Sequence, residues 1–140
     1  MVEFFPQDSN RCSWILKNTY RRKLTVSKMA SQAVVIADDE GVIHTWSQGA
    51  ESLFGYEASE VLGQKLDLMI PEKYRERHWA GFFAAMKTGL KGVEGEAFQS
   101  RVLCKDGQIR AYPARLFLLR DARSDHEIVG AFAIFSPRDA

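Results

Sequence analysis

The 140-residue chain is predicted to adopt an α+β fold: a five-stranded antiparallel sheet with helices on one face. Three observations lead there. Apolar, β-branched or alternating runs read as strands at Ala33–Ala37, Val42–Trp46, Ala97–Cys104, Ile109–Leu119 and Ile128–Phe135. The helix signals all fall between the second and third of these runs, apart from one helix near the N-terminus. The sequential strands are joined by short polar links, which suit hairpins and not crossovers.

Taken in order, Cys12, Leu16, Tyr20 and Leu24 recur every four residues and predict an amphipathic helix over about residues 9–24. Ser9 or Asn10 can cap it. Its apolar stripe either lies on the chain's own domain or joins a second copy, and a homodimer through this stripe is the expected assembly. Asp38-Asp39-Glu40-Gly41 turns the first strand into the second, with Gly41 free to take positive φ. Ser47 can cap a short helix carrying Ala50, Leu53 and Phe54, which Gly55 ends. A second short helix over Ala58–Leu62 ends at Gly63, and Leu66–Ile70 makes about one further turn before Pro71. Glu72–Thr88 is the strongest helix: Pro71 starts it, Glu72 suits its first turn, Lys87 its last, and Gly89 follows. Lys105-Asp106-Gly107 forms a tight hairpin turn and Asp121–Asp125 a longer polar loop. The domain boundaries read as an N-terminal helical extension over 1–29, a folded domain over 30–136 and a tail over 137–140.

Composition removes several functions. A formal net charge of +1 supplies no global field for nucleic acid or an anionic membrane. Lys17, Arg21, Arg22, Lys23 and Lys28 read as a solvated face. No apolar run approaches the roughly 20 residues of a membrane span, and MVEFFPQDSN lacks the layout of a secretion signal. The expectation is a cytoplasmic protein with no nucleic-acid or membrane partner. Cys12 and Cys104 form neither a zinc pattern nor a disulfide framework. No nucleophile elbow, phosphate loop or zinc-protease motif is present, so no catalytic residues are assigned and no enzyme is expected.

Specific segments carry a family resemblance. Val34-Val35-Ile36-Ala37-Asp38 and Gly41-Val42-Ile43 resemble the opening hairpin of the PAS (Per-Arnt-Sim) sensory domains. Trp46-Ser47-Gln48-Gly49-Ala50-Glu51-Ser52-Leu53-Phe54-Gly55-Tyr56 resembles that family's W-N-x-x-A-E-x-x-F-G-Y segment, with Ser47 where asparagine is usual. Glu60-Val61-Leu62-Gly63, Met69-Ile70-Pro71 and Lys105-Asp106-Gly107 follow in register. The resemblance implies a sensory module that binds a small molecule and relays a conformational change. The alternative is a ligand-free dimerisation or protein-interaction module.

The space between the long helix and the sheet is the expected ligand site. His78, Phe82 and Met86 share a helix stripe; Glu96, Phe98 and Val102 share a strand face; Leu116 and Leu118 face them from the next strand. Ile70-Pro71 followed by Arg77-His78 resembles the haem-binding PAS subclass, which implies haem as cofactor and His78 as the axial iron ligand, the only metal ligand expected. Ala84, Glu96 and Phe98 depart from that subclass's pattern. The alternative for His78 is a half-buried helix histidine hydrogen-bonded to a carbonyl or carboxylate, with an organic ligand or none in the pocket. The flavin motif N-C-R-F-L of the light-sensing subclass is absent. His44 and His126 are expected to be structural or solvated.

Overall fold

In the computed structural model, residues 32–138 are described. The N-terminal helix, its Cys12–Leu16–Tyr20–Leu24 stripe and the dimer built on it lie outside these residues. The strands are β1 (Ala33–Asp38), β2 (Ile43–Trp46), β3 (Phe98–Leu103), β4 (Ile109–Asp121) and β5 (Glu127–Phe135). Between β2 and β3 lie α1 (Gln48–Phe54), α2 (Ala58–Val61), two single 3-10 turns (Leu66–Met69 and Glu72–Tyr74) and α3 (Arg75–Thr88). The strands form one sheet in the order β2-β1-β5-β4-β3, and every neighbouring pair is antiparallel. The predicted fold class is thus the one found.

Local chemistry explains the elements. The Asp38 carboxylate accepts from the Glu40 and Val42 amides at 2.9 and 3.0 Å, closing the first turn. Gly41 there has φ 81°, and a methyl on it would collide with the Trp79 ring, so both backbone and packing require glycine. The Ser47 hydroxyl accepts from Ala50 N at 3.2 Å as the α1 cap and from Val34 N at 2.8 Å, fastening α1 to β1. Gly55 ends α1 in the left-handed conformation. The free edge of β2 is covered by the chain after α2: Gly63 N donates to Ile43 O, and Ile43 N to Gln64 O, both at 2.9 Å.

Alternation along β1 and β5 turns Ala33, Val35, Ala37, Ala131, Ala133 and Phe135 toward the helical side. Phe54 from α1 packs into this face, 5.2 Å from the Tyr112 ring and 5.1 Å from that of Phe135. The Tyr112 hydroxyl donates to Leu53 O at 2.9 Å. Burial, then the Cys104 side chain, push its pKa up to about 12, so it keeps that proton.

Most boundaries shift by one or two residues, and the start of the long helix shifts furthest. The long helix begins at Arg75, and Glu72–Tyr74 is a 3-10 turn after Pro71. α3 fully buries only Ala85, leaving His78, Trp79, Phe82 and Met86 half-buried. The helix therefore stands off the sheet, with open space beneath it.

Candidate functional site

That space has two connected parts. A partly open apolar cavity of about 240 Å³ lies against β1, β5 and β3, lined by Val35, Met69, Phe82, Val102, Leu116 and Ala133 among others. A wider groove of about 670 Å³ opens along α3 and adds Tyr74, Arg77, Met86 and Leu118. His78, Phe82, Phe98, Leu116 and Arg101 border both parts.

Seven of the eight expected site residues are brought together. His78, Phe82, Phe98 and Leu116 line both spaces, Val102 the inner one, Met86 and Leu118 the groove. Glu96 is the exception and is corrected here: it is exposed and borders neither space. The reason is where pleating begins. β3 starts at Phe98, and Gly95 turns the chain with φ 81°, so the strand alternation does not extend back to Glu96. Tyr74, Arg77, Ser100 and Arg101 were missed. Ser100 follows the alternation of Phe98 and Val102. Arg101 does not, but β3 is an edge strand, and its long side chain rounds the edge to donate to the Tyr74 hydroxyl at 2.9 Å.

His78 sits at the junction, 5.9 Å from the Phe82 ring and 5.0 Å from that of Trp79. Burial lowers its pKa below the usual 6.5, against a smaller upward pull from the Asp67 carboxylate, so the ring is neutral at pH 7. Its Nδ1 is buried and has no hydrogen-bond partner among the described residues. A buried acceptor without a partner costs less than a buried N–H without one, so the proton belongs on Nε2.

This geometry tests haem. Iron binding through Nε2 requires the proton on Nδ1, and metal-bound histidines almost always donate that proton to an acceptor. His78 offers none. Volume does not separate the readings, because the groove of about 670 Å³ that His78 also borders lies within the roughly 300–1,000 Å³ of ordinary cofactor sites; the missing acceptor does. As folded, these residues do not fit haem. His44 pairs instead with Asp38 at 2.7 Å, and His126 lies in the polar β4–β5 loop with φ 61°.

A five-stranded antiparallel sheet, with a helix held off it over an apolar cavity, defines an α+β domain with a hollow beneath its long helix. The chain belongs to the PAS domain family, whose pattern matches residues 31–136. It is similar to Sensor protein FixL of Bradyrhizobium diazoefficiens, at 39% identity over 46 residues, or 33% of this chain and 9% of that one. The chain spans 6–14% of the length of the curated relatives it matches. Among solved structures it resembles a PAS domain from Colwellia psychrerythraea (TM-score 0.64, 24% identity, covering 90% of this chain and 97% of that one). It also resembles the RpfR quorum-sensing receptor PAS domain of Cronobacter turicensis in complex with C12:0 (TM-score 0.59, 18% identity, covering 79% and 96%). Among the described residues, no helix is long and apolar enough to cross a membrane.

Proposed function

We propose that this domain is a cytoplasmic sensory module that holds a small, mainly apolar molecule between α3 and the sheet. It acts by binding and not by catalysis, and relays occupancy through the strands. The observation that carries this reading is the inner apolar cavity, whose walls include β1, β3, β4 and β5 at once. A ligand there touches Leu116 and Ala133, which face each other across the central β4–β5 pair. Its occupancy therefore bears directly on the sheet. The acyl ligand of the RpfR domain supports an apolar occupant, and similarity to a sensor protein supports the signalling role.

The alternative, a ligand-free dimerisation module, is favoured by one feature. The sheet's opposite face carries Ile36, Phe117, Phe132 and Ile134, all half-exposed, with Phe117 and Phe132 stacked at 4.9 Å. Native mass spectrometry of the purified protein, a visible spectrum and thermal shifts against decanol and other aliphatic probes decide between them. The sensory reading expects a retained or added small molecule that raises the unfolding midpoint, an effect lost in Ala133→Phe. A protein that binds none of these, yet self-associates, selects the alternative. A Soret band near 400 nm (roughly where haem proteins absorb) that disappears in His78→Ala would restore haem.

A further inference from the structure

The groove leading to the cavity carries an unusual concentration of positive charge. The Tyr74 ring has Lys73 Nζ at 5.1 Å, Arg77 Cζ at 5.5 Å and Arg101 Cζ at 5.9 Å from its centroid. Among the described residues, none of these three cations has a carboxylate within ion-pair distance. Glu72 and Glu76, their neighbours along the chain, make no ion pair with them.

Two physical costs make this arrangement informative. Like charges around one ring repel. Lys73 and Arg77 also flank the start of α3, where the helix dipole is already positive and cations destabilise. Cation–π attraction to one tyrosine offsets only part of these costs. An anion at this place would relieve both costs. Tyr74, Arg77 and Arg101 line the groove, and Arg101 also borders the inner cavity. The polar end of a ligand whose apolar part lies inside would meet them. Guanidinium groups favour a carboxylate, which they bind through paired hydrogen bonds.

We propose that Arg77 and Arg101, held around Tyr74, form a head-group site, and that the ligand is a medium-chain aliphatic carboxylate. This rests on the sensory reading above and specifies its ligand. The apolar inner cavity takes the chain, and ten carbons is the probe length.

The test compares decanoate with decanol, which share a chain and differ in head group, by calorimetric titration of the full chain. Decanoate is expected to bind at least about tenfold more tightly at low salt. Raising salt to about 0.5 M should weaken decanoate several-fold and leave decanol unchanged. The double variant Arg77→Met, Arg101→Met should bring the two affinities together. Equal binding of both ligands to the wild-type chain overturns the head-group site and leaves the cavity reading standing. Binding of neither overturns both. The salt comparison needs no variant, so it decides even if the double variant folds poorly. Tyr74→Phe, which keeps the ring and loses the hydroxyl that orients Arg101, should fall between the wild type and the double variant.

Discussion

His78 shows how one residue's surroundings set its chemistry. Unfolded, the imidazole takes up a proton as pH falls through about 6.5; folded, burial holds it neutral to lower pH. Below that value the unfolded chain binds the extra proton, so stability declines as pH falls from about 6.5 to the lower folded pKa and is unaffected above it. His78→Leu removes this proton and the partnerless Nδ1 together. The variant should equal or exceed wild-type stability at pH 8 and lose less on acidification to pH 5. Urea titrations at the two pH values measure it, and parallel losses in both proteins would mean that the ring protonates freely in the folded state. The Arg77-His78 pair on the long helix was legible, but its missing acceptor was not. An unpaired nitrogen depends on where every nearby carbonyl falls, and no local pattern encodes that.

At the scale of elements, Ser47 joins helix to sheet with one oxygen. Ser47→Ala removes the α1 cap, worth about 0.5–2 kcal/mol, and strands the Val34 amide, worth about 1–3 kcal/mol if it finds no water. We expect a loss of roughly 2–3 kcal/mol by denaturant unfolding, with Ser47→Asn retaining most of the stability because it keeps a capping oxygen. An alanine variant within about 0.5 kcal/mol of wild type would show that water replaces the hydroxyl at both amides. The elements themselves were largely readable. Strand alternation, Gly55 after α1 and the Asp38–Gly41 turn all act within a few residues. Two failures share a different cause. Glu96 lies two residues before β3 begins, and strand periodicity cannot locate its own start. Arg101 sits on the wrong face by alternation, and its reach to Tyr74 depends on β3 being an edge strand, which is a property of the assembled sheet.

At the scale of the molecule, the sheet order has consequences for what can be removed. β1 pairs with β5 along six successive residues, so the first and last strands of the domain lie side by side at its centre. The core cluster runs from Ala33 to Phe135 and draws on all five strands. Every described member of that cluster lies within residues 33–135. A fragment of residues 31–138 is therefore expected to fold alone and unfold in one cooperative transition, with tryptophan fluorescence and far-UV circular dichroism coinciding. Trp46 and Trp79 report from opposite ends of the helical layer: Trp46 packs 5.6 Å from Phe54, and the Trp79 indole donates to Asp67 at 2.5 Å. Removing residues 127–140 instead deletes β5, which lies between β1 and β4. That exposes two strand edges and removes Phe135 and Ala131 from the core, so no cooperative transition should remain. If the 31–138 fragment gave separate transitions by the two probes, or none, the domain would need residues beyond that span for its core.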